Sequence, residues 1–169
     1  MGLFTSQKFH TLDDLFVEQL QDLYDAEKRL EDNLPKMAEA AHDAQLKECL
    51  NEHLAQTQTQ ASRLESIFDE LGKPKERETC EAMKGLLKEG HQMVKAEGDP
   101  DVKDAAIIAS AQRIEHYEIA GYGTARNFAQ RLGHSGIAEK LQATLDEEKQ
   151  QDARLNELAT ANINPRAAS

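Results

Sequence analysis

The sequence predicts an all-α protein: four long helices packed as a bundle, with a shorter fifth helix in a crossover. Three observations carry this. Apolar residues recur at three- and four-residue spacing along nearly the whole chain, and β-branched runs are almost absent. Aromatics make up only 5% of the residues and Trp is absent, so the core must be Leu, Ile, Ala and Met, which suits packed helices better than a sheet. Helix stop and start signals also break the pattern at regular places. The 169 residues make one domain, 1–169, rather than two.

The first helix, α1, is expected over about 12–42. Thr11 with Asp14 three residues on reads as a capping box. Leu12, Leu15, Phe16, Leu20, Leu23, Leu30, Leu34, Met37 and Ala41 then share one stripe. Pro35 lies inside it and predicts a kink, because proline removes a backbone bond and crowds the preceding turn. The second helix, α2, spans about 44–71, with Leu46, Leu50, Leu54, Thr57, Ala61, Leu64 and Phe68 on one face and Gly72 as its stop. Gly72 to Glu78 is a polar connector, followed by α3 over about 79–96 with Met83, Leu86, Leu87 and Met93. Asp99-Pro100 reads as an N-cap and a first-turn proline opening α4, about 100–132, which Gly133 ends. Ser135 is read as the cap of α5, about 136–161, and Asn162 to Ser169 as a frayed tail.

Short connections make α1–α2 and α4–α5 antiparallel hairpins. The link from α2 to α4 holds a whole helix, long enough to return along the bundle, so α2 and α4 should run parallel. One long crossover between two hairpins is ferritin-like connectivity. The expected fold is therefore a ferritin-like four-helix bundle.

Charge and composition exclude several function classes. The net charge is −11, which argues against binding nucleic acid or an anionic membrane through bulk charge. No apolar run approaches the roughly 18 residues of a membrane span. Met1 to His10 lacks a basic region followed by an apolar stretch, so no secretory signal is expected. Cys49 and Cys80 have no metal spacing, which predicts free thiols in a reducing cytoplasm. There is no Gly-rich phosphate loop, no Ser-His-Asp order and no CxxC motif.

Five carboxylates stand where apolar residues are expected. Glu27 falls between Leu23 and Leu30 in the α1 stripe. Glu115 lies seven residues from both Ile108 and Tyr122 on α4, with Glu118 one turn on. Glu148 lies seven residues from both Leu141 and Leu155 on α5, with Asp152 four residues later. Counted from the two hairpin loops, all five fall in one layer. A buried unpaired carboxylate costs several kcal/mol, so the group must be neutralised together. Arg or Lys can do this, and Arg126 and Arg154 are the nearest on these stripes, though neither is central. Hard divalent or trivalent cations, which prefer oxygen ligands, are the other solution.

At these residues the sequence resembles the YciF/YciE-like bacterial proteins of the ferritin-like superfamily. LYDAEKRL at 23–30, HLAQTQTQASRLE at 53–65, DAAIIASAQRIEHYEIAGYGT at 104–124 and LDEEKQQDARLNELA at 145–159 carry the resemblance. It implies a cytoplasmic, stress-associated homodimer with a di-iron site like that of rubrerythrins. In such sites α1 gives one Glu, matching Glu27, and α4 gives Glu-x-x-Glu, matching Glu115 and Glu118. On α5 a Glu with a ligand four residues on matches Glu148 and Asp152, where rubrerythrins have His. On α2 the superfamily pattern is Glu-x-x-His. The corresponding window here is read as Ala55 to Gln60, with Ala55 and Gln58 in the ligand places; it holds no carboxylate and no His, and its amides can coordinate through oxygen but carry no charge. His53, one turn away, is either a ligand or a hydrogen-bonded core histidine.

The expected ligand set is thus Glu27, Glu115, Glu118, Glu148, Asp152 and His53, for iron first and manganese or zinc next. Ferrous oxidation or peroxide reduction is the expected chemistry. The rival is a non-enzymatic, dimeric stress-response scaffold whose site is degenerate and metal-free. Whether the protein is an enzyme stays open at this point. Gly121 and Gly123 in mid-helix, and apolar residues on α3 and α4, suggest close packing at the crossover or a homodimer contact.

Overall fold

The computed structural model describes residues 8–169, and every element in it is helical: α1 (Leu12–Ala40), α2 (Ala44–Leu71), α3 (Glu81–Val94), α4 (Pro100–Arg131), α5 (Ser135–Leu158), a π-helical turn (Ala159–Ile163) and α6 (Asn164–Ala167). Residues 1–7 of the stretch read for a secretory signal lie outside the described residues. The Thr11–Asp14 capping box is formed in both directions. Gly72 ends α2 at φ +61°, and Asp99 caps α4 ahead of Pro100. Helix α1 continues through Pro35 without interruption. Ser135 is the first residue of α5, and His134 holds the cap position with no side-chain bond.

Side-chain contacts set the topology. Gln60 meets Glu148, Arg154 meets Glu52 and Lys140 meets Glu70, so α2 and α5 run antiparallel. Tyr122 meets Glu27 while Asp104 meets the loop after α1, so α1 and α4 are antiparallel too. With each hairpin antiparallel as well, α2 and α4 are parallel and lie on a diagonal. The crossover helix α3 packs on α1 and α4. Its start is fixed by Cys80, whose N–H donates to the Asp25 carboxylate at 2.9 Å, and Arg29 and Arg77 hold that carboxylate in turn.

The tail is not frayed. After the π-helical turn, which buries Ala159 and Ile163, α6 places Arg166 between Asp43 at 2.8 Å and Asp101 at 2.9 Å. The extra residue per turn sets that direction, a feature that periodicity at 3.6 residues does not reveal.

Gly121 is explained within the subunit. A Cβ built on it would lie 2.8 Å from Leu23 Cδ2, so any larger residue here would force the buried Leu23 side chain to shift at the α1–α4 contact. A Cβ on Gly123 would make ordinary contact with Leu145 on α5. The apolar residues of α3 are turned inward as well: Met83 and Leu87 are buried and Leu86 packs on the core. Among the described residues only Phe9, Leu12 and Val102 are large, apolar and exposed.

The core is two apolar clusters, one above the other. One gathers Phe16, Leu20, Leu23, Phe68, Tyr122 and Leu141, the other Leu30, Leu34, Leu46, Ile107, Ile114 and Leu155. Between them lies a layer of polar side chains. A second buried carboxylate feature closes one end of the bundle: Asp104, fully buried, accepts the backbone N–H groups of His42 and Asp43 at 2.7 Å each, locking the α1–α2 turn. Two bonds to a charged acceptor are worth about 1.5–3 kcal/mol each. Asp104→Ala should therefore cost about 3–6 kcal/mol in urea unfolding. A loss under about 1 kcal/mol would show that the turn is held by other contacts.

Candidate metal centre

Each helix of the bundle contributes to the polar layer because its stripe is interrupted at the same height. Glu27 comes from α1, His53, Thr57 and Gln60 from α2, Glu115 and Glu118 from α4, and Glu148 from α5. All are at most 1% exposed. One donor atom each from His53, Glu115, Glu118 and Glu148 lies within 4.8 Å of the other three. His53 Nδ1 is 3.3 Å from Glu115 Oε1, and its Nε2 is 3.9 Å from Glu148 Oε2. Glu27 stands beside this group and accepts a hydrogen bond from Tyr122 Oη at 2.5 Å.

These groups are short of partners. Both oxygens of Glu115 and of Glu118, one oxygen each of Glu27 and Glu148, both nitrogens of His53, Thr57 Oγ1 and Gln60 Oε1 are buried without a hydrogen bond. Among the described residues no Arg or Lys reaches any of the four carboxylates. Arg126 turns to Gln142, Arg154 to Glu52 and Arg63 to Glu147. His53 is not a satisfied core histidine.

Burial pushes the carboxyl pKa values of Glu27, Glu115 and Glu118 well above the usual range, and mutual repulsion pushes them further. Glu148 is raised to about 7, again chiefly by burial, with Glu115 and Gln60 holding it down in part. Burial also drives His53 down to about 4. At neutral pH the imidazole is therefore neutral and keeps a free lone pair, the form that binds a metal. The donor set suits a divalent ion: hard carboxylate oxygens plus one imidazole, aimed at one point, their charges otherwise uncompensated. The arrangement can hold a metal ion.

The metal-free protein should lose stability as pH rises. The raised carboxyls stay protonated in the fold at pH values where the unfolded chain has released its protons. Unfolding then releases protons, and stability falls from about pH 4.5 through about 7. His53 has the opposite sign, adding stability as pH rises from about 4 to its ordinary value of 6.5. It is one group against four, and above pH 6.5 it no longer opposes them. Thermal melts of chelator-treated protein between pH 5 and 8 should lose on the order of a few kcal/mol. A melt that rises steadily across this range would mean that the carboxylates are paired.

Not every residue expected in the layer lies in it. Asp152 is on the rim, its side chain 23% exposed, accepting from Gln112 at 3.1 Å and 3.5 Å from His116 Nε2. On α5 the turn after Glu148 is taken inward by Gln151, which donates to Cys49 Sγ, so a residue four positions on is rotated out. The α2 register also differs. Ala55 and Gln58 are exposed, and the inward positions are Thr57 and Gln60, three apart. Thr57 was legible in the sequence as a member of the α2 apolar stripe; Gln60, three residues on, was missed. Gln60 donates to both Glu147, at 3.2 Å, and Glu148. Of the three tyrosines only Tyr122 touches the layer. Tyr24 donates to Glu65, and Tyr117 to Asp22 while meeting Cys80 Sγ.

Comparison with known proteins agrees with the fold and with the resemblance. Residues 11–168 match the family described as a domain of unknown function, DUF892. Protein YciF of Escherichia coli K12 is 39% identical over 158 residues, covering 93% of this chain and 95% of its own length. The solved structure of that E. coli stress protein superposes with a TM-score of 0.89, covering 92% of this chain and 99% of its own. YcfI of Rhodopseudomonas palustris, described as a candidate structural protein, is 42% identical with a TM-score of 0.86, covering 90% of this chain and 98% of its own. A Xanthomonas campestris protein at 22% identity shares the fold, with a TM-score of 0.74 over 94% of this chain and 97% of its own. Matched over almost its whole length by the family and by a relative at this level of identity, the chain belongs to the DUF892 family of YciF-like proteins.

Proposed function

We propose that the polar layer holds a single divalent metal ion, iron first and manganese or zinc next, in a cytoplasmic, stress-associated protein. His53, Glu115, Glu118 and Glu148 are its ligands. One observation carries the reading: buried oxygens and imidazole nitrogens from three helices converge on one point, and each of Glu115, Glu118, Glu148 and His53 keeps at least one such atom without a hydrogen-bond partner. A bound ferrous ion would supply one-electron chemistry toward oxygen or peroxide.

The chain's own residues prepare the site in three ways. His53 is kept neutral by burial. Glu115, Glu118 and Glu148 give up their protons to the solvent as the ion enters, so binding tightens as pH rises. Glu27 keeps its proton beside them, because three carboxylates already exceed the charge of a divalent ion, and Tyr122 fixes its orientation. The stress role is supported by the description of the E. coli relative. Association as a homodimer rests on the family resemblance, since Gly121 and the apolar face of α3 are used within the subunit.

The scaffold reading keeps one specific observation: α2 offers Thr57 and Gln60 where a carboxylate and a histidine would complete a two-metal site. Protein purified without chelator, then loaded anaerobically with ferrous iron, separates the readings. Elemental analysis should find one ion per chain and light scattering a dimer. No metal at saturating ferrous iron would leave the scaffold.

A further inference from the structure

A layer this deeply buried needs a way in, and the seams of the bundle differ in how they are closed. The α2–α5 seam is zipped by three ion pairs, Arg63–Glu147, Lys140–Glu70 and Arg154–Glu52. Its one carboxylate touching the layer, Glu147, is clamped by both Arg63 amino groups at 2.8 and 3.0 Å, so an arriving cation meets a guanidinium first. The α1–α4 side is covered by α3.

The α4–α5 seam is different. Among the described residues no Lys or Arg pairs with a carboxylate across it. The contact between ionisable side chains that does cross it is Asp152 with His116, 3.5 Å apart, and both are residue types that ligate transition metals. Asp152 is partly exposed and His116, with 68% of its side chain accessible, is open to solvent. Each is one step from an inner donor: His116 follows Glu115 on α4, and Asp152 follows Glu148 by one turn of α5. Glu115, the residue before His116, has two buried oxygens without partners. The Asp152 charge reaches Glu115, adding to the rise in its pKa.

We propose that Asp152 and His116 form an outer, transient cation site, the port through which a divalent metal ion passes to Glu115 and Glu148. Gln112 positions Asp152 by donating to its other oxygen. The net charge of −11 raises the local cation concentration around the whole chain, and Arg126, the basic side chain bonded across this seam, is turned to Gln142 rather than to Asp152. The proposal rests on the metal reading above. It adds a kinetic role for residues that the inner site does not use.

The test is the rate of Co²⁺ uptake by metal-free protein, followed by the visible absorption of the bound ion, with the final stoichiometry measured separately. In Asp152→Asn combined with His116→Ala, uptake should slow at least about tenfold while stoichiometry stays that of the unaltered protein. Asp152→Glu, which keeps the carboxylate, should restore most of the rate. Glu147→Gln, in the ion-paired seam, should not slow uptake. The port is overturned if the double variant loads at the normal rate, if it loses binding at equilibrium, or if Glu147→Gln is the slow variant. Failure of the unaltered protein to bind Co²⁺ at equilibrium would overturn the metal reading itself, and the port with it. Both residues are solvent-accessible, and unchanged thermal melts of the metal-free variants exclude misfolding as the cause.

Discussion

Glu115→Gln is expected to abolish metal binding and, in the same molecule, to make the metal-free protein more stable. The two effects have opposite signs because the carboxylate serves the ion and not the fold. With metal, Glu115 supplies a fully desolvated negative charge. Removing one member of a buried charge pair costs about 3–5 kcal/mol, which corresponds to a loss of affinity of a hundred- to several-thousand-fold. Without metal, Glu115 is a buried acid with neither oxygen hydrogen-bonded, facing Glu148 and under the influence of Asp152. An amide of the same shape removes the cost of protonating that acid on folding. Isothermal titration reads the first effect, and melts of chelator-treated protein at pH 8 read the second. If Glu115 were instead half of a structural ion pair with His53, 3.3 Å away, the metal-free variant would melt lower, and the site reading would fail.

Thr57→Glu combined with Gln60→His is expected to raise the capacity from one ion to two. These are the two α2 residues whose side chains enter the layer, three apart, and Gln60 already touches Glu148. In the natural chain the Gln60 amide occupies a Glu148 oxygen that a second ion would need. The exchange would free that oxygen and add one charge and one imidazole. A second ion at a hundred times its dissociation constant adds about 2.7 kcal/mol to stability, or roughly 5–11 °C in melting temperature for a chain of this size. The same exchange at Ala55 and Gln58 should change neither number, because both point to solvent. One ion per chain in the Thr57/Gln60 variant would mean that Glu27, held by Tyr122, cannot turn to serve a second metal.

Much of this was legible in the residues. The caps at Thr11, Asp99 and Gly72 and the apolar stripes located the helices, since both depend on nearest neighbours along the chain. Glu27, Glu115, Glu118 and Glu148 were visible as charges on apolar stripes. That signal is reliable because burying a charge is too costly to occur by chance in several helices at one height. Asp152 carried the same signal more weakly. At four residues per step a helix turns slightly past one full revolution, so a residue one turn from a central position can leave the core face. The tail and the α2 register failed for a related reason: a π-helical turn and a flank position shift the phase by about one residue, which periodicity alone does not resolve.

By itself the sequence determined the all-α class, the two hairpins joined by a long crossover, the family and the height of the polar layer. These follow from the local hydrogen-bonding preferences of each segment and from the cost of burying charge. Tertiary structure alone decided which side chains meet. It brought His53 from the flank of its stripe to 3.3 Å from Glu115, turned Asp152 outward, and put Thr57 and Gln60 in place of Ala55 and Gln58. It also assigned Gly121 to the α1–α4 contact and Arg166 to Asp43 and Asp101. The physical reason is the rotation of each helix about its axis. That rotation is set by how ridges of one helix fit grooves of the next, and small differences there decide which of two adjacent residues points inward.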